Sequence, residues 1–326
     1  MIKHTYFFLF CIIGLIACQH EGGGETLDHT TLEEASISGH NQTDIAPSDD
    51  QMAYTREIEQ WRANRISALT RPRSWASLVG LTWLKEGKNT FGSAPSSDVK
   101  IGDTAPGHIG ALTLTGDHVT LDVNPDVEVL LPDASVFSGG SAVADTDEPP
   151  LIFHMGALYW TVIKRSEVYG VRVWDTTHHM RTELTEIPHY DTDLAWKLDA
   201  TVLPALKDET ITMDNAVGQS IAYPIAGHVV ASKGGIDINL IALDGGKNDL
   251  FLIFSDLTTD IETYAGGRYL YISRGDSTGK TTIDFNKAYN PPCVFTAFAT
   301  CLLPPKSNFI GTQVRAGEKD YGAHDD

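Results

Sequence analysis

Polar and aromatic side chains that can bind or transform a ligand concentrate in the last third of the chain. Arg268 follows two glycines, so its guanidinium can approach a carboxylate or phosphate without crowding from the backbone. A proline-rich loop downstream adds hydrogen-bonding groups, and Tyr264 offers a flat surface for stacking. The candidate ligand-binding residues are Tyr264, Arg268, Asn286, Tyr289, Asn290 and Glu318.

The same cluster has a catalytic and a structural interpretation. In the first, Asp256 or Asp284 is a general base and Arg268 an electrostatic clamp, as in a hydrolase or lyase acting on an envelope substrate. In the second, Arg268 pairs internally with Asp256 or Glu318, and the Asn and Asp side chains bind their own turns. The sequence lacks the usual nucleophile, zinc-protease and dinucleotide motifs. It therefore favours a binding or scaffolding module for a small anionic or saccharide ligand.

Two other polar motifs are better explained by loops than by sites. GDSTGKT (275–281) has three residues between its glycines, where a P-loop has four, and it joins two strands, so we predict a hairpin turn. His189, Asp191 and Asp193 would share one face of a strand and suit a hard cation, but a polar loop is the simpler interpretation. We predict no metal and no cofactor.

One helix precedes the strands that must position these residues. Ser48 and Gln51 have the spacing of a capping box. Tyr54, Ile58 and Trp61 then recur at helical spacing. The dipeptide Arg71-Pro72 ends the pattern. We expect this helix to pack on a sheet through Trp61 and Ile58.

The rest of the chain predicts a mainly β protein. Short runs rich in Val, Ile, Thr and aromatic residues alternate with period two, and Gly, Asp and Asn separate them. This pattern indicates antiparallel sandwich or barrel architecture. The N-terminal part, residues 86–165, weakly resembles the forkhead-associated sandwich. Ser93 and Ala105 replace the Arg and Ser that bind phosphate in that fold, although His108 fits, so phosphopeptide binding is not expected.

The first residues predict export and lipid attachment. Residues 1–17 combine one basic residue with an apolar run too short to span a bilayer, as in a signal peptide. Leu15-Ile16-Ala17-Cys18 resembles the bacterial lipobox, which implies a lipid anchor on Cys18 that attaches the protein to the membrane. Gln19 after the cysteine favours the outer membrane. Residues 18–50 contain no Lys or Arg and predict a disordered acidic tether.

Net charge and length set further expectations. The formal net charge of −19 argues against nucleic acid as a partner. Residues 51–180 should contain the helix and an N-terminal β region. Residues 181–326 should form a C-terminal β region. The sequence sets no expectation for the oligomeric state.

The four cysteines predict one disulfide bond. Cys11 leaves with the signal peptide, and Cys18 carries the lipid. Cys293 and Cys301 remain, and two thiols so close together usually pair in an oxidising compartment.

Five segments resemble the bacterial and archaeal domain-of-unknown-function family numbered 1684. The most specific is DFNKAYNPPC (284–293). The resemblance covers residues 52–321 and departs at Leu302, where proline is more usual. It implies no particular activity, but it marks the matching positions as site candidates. The other segments are WASLVGLTWLKEGKNTFGS (75–93), FSDLTTDIETYAGGRYL (254–270), ATCLLPPKSN (299–308) and RAGEK (315–319).

Overall fold

The computed structural model describes residues 48–146 and 150–322. The predicted signal peptide, the predicted lipidation site Cys18 and most of the predicted acidic tether lie outside these residues. The described chain is mainly β-structure, with antiparallel sheets and one long N-terminal helix, which confirms the predicted fold class.

None of the helices in the two described ranges is long and apolar enough to cross a membrane.

Helix α1 (Asp49–Leu69) begins at the predicted capping box. The backbone N–H of Gln51 donates to the Ser48 hydroxyl at 3.2 Å, and the backbone N–H of Ser48 donates to Gln51 Oε1 at 3.0 Å. Ile58 is fully buried, as expected. The Trp61 ring lies 6.5 Å from the ring of Tyr289. The helix therefore contacts the C-terminal half of the chain, although it precedes the N-terminal sheets in the sequence.

Two sheets in the N-terminal half enclose the first hydrophobic core. Their strands are β1 (Leu78–Trp83), β2 (Gly87–Gly92), β3 (Val99–Lys100), β4 (Gly110–Thr115), β5 (His118–Val123), β6 (Gly140–Ser141), β7 (Ile152–Met155), β8 (Leu158–Arg165) and β9 (Val168–Asp175). One sheet has the order β1-β9-β8-β7, and the other has the order β3-β2-β4-β5-β6. Alternate residues from both sheets meet between them, where Trp160 packs edge-on against Phe91 at 5.3 Å.

The C-terminal half forms a second layer of strands around its own core. Its elements are α2 (Met180–Glu183), β10 (Lys197–Leu203), β11 (Thr210–Asp214), β12 (Ser220–Pro224), β13 (Gly227–Lys233), β14 (Ile236–Asp244), β15 (Asp249–Asp256), β16 (Arg268–Ser273), β17 (Lys280–Asp284) and β18 (Phe309–Ile310). The order β16-β15-β14-β13-β10-β17 gives a nearly closed, barrel-like sheet, here called the C-terminal sheet, and β18 pairs with β15. Strands β11 and β12 form a separate hairpin. The glycine-rich segment 275–281 lies in the turn between β16 and β17 and at the start of β17.

Cys293 and Cys301 form the predicted disulfide, with their Cα atoms 6.1 Å apart. The loop that it closes contacts both halves of the chain. Thr296 Oγ1 donates to the carbonyl of Leu78 at 2.8 Å, and the backbone N–H of Ala216, near the β11–β12 hairpin, donates to the carbonyl of Cys301 at 2.8 Å. The disulfide therefore restrains a loop that joins β1, the hairpin and the C-terminal sheet.

We expect the double variant Cys293→Ala/Cys301→Ala to lose about 2–3 kcal/mol of unfolding free energy, because the unfolded chain is no longer constrained. Urea unfolding of the variant and the wild type measures this difference. As a control, a reducing agent should shift the wild type toward the variant and leave the variant unchanged. An equal shift of both proteins would contradict a stabilising disulfide.

Candidate functional site

Arg268 and Asp256 form a buried ion pair inside the C-terminal sheet. Arg268 is 1% exposed and Asp256 is 2% exposed, and the guanidinium donates to Asp256 Oδ2 at 2.7 Å. Its other hydrogen bonds go to the carbonyls of Val314 at 2.8 Å, Ala316 at 2.5 Å and Glu318 at 3.4 Å. Asp256 Oδ1 accepts from the backbone and the hydroxyl of Thr258, both at 2.7 Å. Both charged groups are thus bound to protein groups and do not present a surface to a ligand.

Two glycines make this buried arrangement possible. Gly267 has a φ of 76°, and a Cβ there would lie 2.6 Å from the carbonyl oxygen of Phe254. Gly317 has a φ of 80°, and its Cβ would lie 2.4 Å from the carbonyl oxygen of Ala288. Both glycines permit a close approach between two segments of backbone. The glycine before Arg268 therefore allows tight packing, where the sequence suggested an open approach for a ligand.

Asp284 and Asn286 bind helix α1 to the C-terminal sheet. The Tyr54 hydroxyl donates to Asp284 Oδ1 at 2.7 Å, and Asn286 Nδ2 donates to the same hydroxyl at 2.9 Å. Asn286 also exchanges hydrogen bonds with the backbone of Asp193, at 2.8 and 2.9 Å. Burial and the hydrogen bond to Asp284 raise the pKa of Tyr54, so this hydroxyl remains a donor. These two candidates take part in a contact between elements.

Glu318 and Asn290 hold an arginine of α1 in place. Arg65 Nε pairs with Glu318 Oε1, and Arg65 Nη2 donates to the carbonyl of Asn290 at 2.8 Å. Glu318 Oε2 accepts from the backbone N–H of Asn290 at 2.7 Å. Asn290 Nδ2 donates to the carbonyl of Lys319 at 2.7 Å, whereas Asn290 Oδ1 is buried and accepts no hydrogen bond from any described residue. This network fixes the Arg65 guanidinium above the ring of Tyr289, 4.4 Å from its centroid.

Tyr264 is half-buried at the edge of a small apolar cluster with Leu69, Val294 and Phe295. Burial is the main cause of its raised pKa. A Cβ at Gly266 would lie 2.5 Å from its ring. The ring is therefore part of a packed cluster between α1 and the disulfide loop.

A cavity of about 300 Å³ lies between α1 and the outer face of the C-terminal sheet. Helix α1, strands β15 and β16, the turn before β1 and the loop after β17 all contribute to it. Its lining is mostly aromatic. The lining residues are Arg65, Leu69, Trp75, Phe251, Tyr269, Tyr271, Tyr289, Asn290 and Pro292.

Three of these rings form a row with similar orientation, here called the aromatic row. Phe251 and Tyr271 stack at 4.8 Å with an angle of 26° between their planes, and Tyr271 and Tyr289 follow at 6.3 Å with 13°. Tyr269 stands almost perpendicular to Phe251 and Tyr289, at 4.9 and 5.9 Å. Burial raises the pKa of Tyr269 and of Tyr289, so both remain neutral at physiological pH. The cavity is thus lined by stacked aromatic rings beside a fixed guanidinium.

Only part of the predicted cluster lies at this cavity. Tyr289 and Asn290 line it, and Glu318 acts one step away through Arg65. Arg65, Trp75, Phe251 and Tyr271 also line the cavity and were not among the residues predicted from the sequence. One signal was available for β16, because Tyr269 and Tyr271 alternate with the buried Leu270 and Ile272 and must face away from that core.

A smaller cavity of about 150 Å³ lies on the other side of the Arg65–Glu318 pair. Arg62, Glu186, His189 and Glu318 contribute its polar groups. Within residues 48–146 and 150–322, no group of three or more His, Cys, Asp and Glu residues is arranged to hold a metal ion.

Residues 182–319 match the model of the family described as "Protein of unknown function (DUF1684)". This range contains the DFNKAYNPPC and RAGEK segments and supports the family resemblance for the C-terminal half. The segment 75–93 lies outside it. Among solved structures, the chain is similar to the solution NMR structure of an uncharacterized protein of Haloarcula marismortui, with 29% sequence identity. The match covers 44% of this chain and 82% of that chain, and its TM-score is 0.37. No curated protein matches this chain.

We expect Arg268→Met to lower the unfolding free energy by about 3–5 kcal/mol, because the carboxylate of Asp256 would stay buried without its counterion. Arg274→Met is the matched control. Arg274 pairs with Asp244 at the exposed surface, so its loss should cost less than about 1 kcal/mol. Urea unfolding of both variants measures the difference, and equal losses would contradict a structural role for the buried pair.

Proposed function

We propose that this chain is a binding module for a small ligand and that its site is the cavity with the aromatic row. The ligand class is a saccharide or a similar small ring compound. The observation that carries the proposal is the alignment of Phe251, Tyr271 and Tyr289 along one cavity, beside a guanidinium held by Glu318.

The chemistry of the lining supports a ring ligand. The C–H groups of a sugar ring carry partial positive charge and pack against the negative face of an aromatic ring. Small-molecule sites combine such apolar walls with a few fixed polar groups. Arg65 supplies donors for a hydroxyl or carboxylate, and the cavity volume of about 300 Å³ suits one or two sugar rings. Its guanidinium, already over Tyr289, disfavours a cationic ligand.

The catalytic alternative has less support from the geometry. The Asp256 carboxylate and the Arg268 guanidinium bind each other and nearby protein groups inside the sheet. Asp284 Oδ1 accepts from Tyr54 and Asn286. Of the residues that the hydrolase or lyase hypothesis requires, none lines the cavity.

We expect Tyr271→Ala to weaken saccharide binding by about tenfold, because it removes the middle ring of the aromatic row. Tyr271 is 50% exposed, so its loss should leave the fold intact. Phe309→Ala is the matched control, since Phe309 is 51% exposed and does not line the cavity. Calorimetric titration of each protein with glucose, N-acetylglucosamine and glucuronic acid measures the effect. Absence of binding by the wild type, or equal binding by Tyr271→Ala, would contradict the proposal.

We also propose that the protein is exported and held at the outer membrane by a lipid on Cys18. The support is the sequence of residues 1–18 together with the acidic composition of the segment that follows. The disulfide between Cys293 and Cys301 agrees with an oxidising compartment. A lipid-anchored binding module of this kind would act on ligands in the cell envelope.

Labelling of growing cells with radioactive palmitate tests the anchor. We expect the label on the wild-type protein and its loss in Cys18→Ala. Cys293→Ala is the control, because Cys293 lies in the disulfide of the folded part and its loss should not affect lipidation. Label that persists in Cys18→Ala would exclude this lipidation site.

A further inference from the structure

Arg172 in β9 is a buried arginine without a hydrogen-bond or ion-pair partner among the described residues. It is 8% exposed and lies opposite Leu81 of β1 and Thr161 of β8. Its neighbours Val171 and Val173 point into the first core, so Arg172 points to the opposite face of this sheet. Within residues 48–146 and 150–322, its guanidinium makes no hydrogen bond or ion pair, and its Nε is fully buried.

The contrast with Arg268 shows why this is unusual. Both side chains are buried, and in both the Nε is buried without a hydrogen bond, but the Nη groups of Arg268 bind a carboxylate and several carbonyls, whereas those of Arg172 bind no described residue. A buried charge without a counterion or hydrogen bonds costs several kcal/mol. Proteins therefore pair such groups, neutralise them or use them to hold a ligand.

The surroundings of Arg172 do not supply the missing acceptor. Its guanidinium lies 5.5 Å from the ring of Trp75. The ring stabilises the cation but does not accept hydrogen bonds from the N–H groups in the guanidinium plane. Asp145 is the acidic residue whose charge raises the pKa of Arg172. Its carboxylate already binds Arg165 at 2.9 Å and the backbone N–H of Lys164 at 3.0 Å.

Electrostatics also favour an anion at this position. Burial, followed by repulsion from Arg165, lowers the pKa of Arg172 to about 10. The group is therefore still charged at neutral pH. A small anion bound to it would offset both the desolvation cost and the repulsion from Arg165.

We propose that Arg172 is the centre of a binding site for a small oxyanion, a carboxylate or a phosphate, between the outer face of the N-terminal sheet and Trp75. The planar fork of a guanidinium matches two oxygens of either group. Trp75 also lines the aromatic cavity, so the anion site is next to it. The anion site does not depend on the saccharide proposal, since it rests on different residues except for this shared ring.

The test compares the wild type with Arg172→Met, which keeps a long apolar side chain and removes the charge. Urea unfolding is measured in chloride buffer and in sodium phosphate or sodium acetate at the same ionic strength. We expect Arg172→Met to be at least as stable as the wild type in chloride. Either oxyanion should stabilise the wild type in a saturable way, with a folded-to-unfolded ratio about 100-fold higher at 100 times its dissociation constant, and should not do so in the variant.

Three further comparisons make the result specific. Arg274→Met, an exposed arginine, should respond to oxyanions as the wild type does. Arg172→Lys keeps the charge without the fork and should respond at least tenfold more weakly. The oxyanion that saturates at the lower concentration identifies the preferred group.

Two outcomes would overturn the proposal. The first is an equal response of wild type and Arg172→Met to both oxyanions. The second is a clear loss of stability of Arg172→Met in chloride, which would mean that the guanidinium stabilises the fold without a bound oxyanion.

Discussion

The buried ion pair between Arg268 and Asp256 is the interaction on which the rest of the C-terminal half depends. Burying a guanidinium is costly unless its donors find acceptors, and here the Nη groups bind Asp256 and the carbonyls of Val314 and Ala316. This holds the C-terminal segment against the sheet. Glu318, two residues further on, then reaches Arg65 of α1. That contact, together with the hydrogen bonds of Tyr54 to Asp284 and Asn286, holds α1 over the aromatic cavity.

Three buried or half-buried arginines differ in the acceptors that their guanidinium groups bind. This difference distinguishes an arginine that stabilises the fold from one that is a candidate for ligand binding. The Nη groups of Arg268 bind protein acceptors, and the pair with Asp256 stabilises the fold. Arg65 is anchored by Glu318 but still lines a cavity, so it can position a ligand. Arg172 has no acceptor among the described residues, which is why we infer an anion there. The cost of burying a charge thus locates candidate sites better than the mere presence of charged residues.

Much of the fold could be predicted because its signals are local. The capping box of α1, the period-two strands and the short spacing of Cys293 and Cys301 each depend on neighbouring residues. The family-specific segments were also recognised, but their role was not. In the structure, DFNKAYNPPC and RAGEK bind each other, since the backbone N–H of Glu318 donates to the carbonyl of Ala288 and Asn290 binds the Glu318 carboxylate. Asn290 and Glu318, which the sequence suggested as ligand-binding residues, therefore mainly form hydrogen bonds between these two segments of the chain.

The sequence alone determined the class of fold, the start of the helix and the pairing of Cys293 with Cys301. Only the tertiary structure decided which side chains face a cavity. The aromatic row takes one ring from β15, one from β16 and one from the loop after β17, and α1 adds Arg65 from more than 180 positions earlier in the chain. Their alignment depends on strand register and on the long-range pairing of Arg65 with Glu318. Neither can be predicted from a single segment of the sequence. Burial likewise depends on the whole fold, so Arg172 and Arg268 look alike in the sequence and differ in the folded protein.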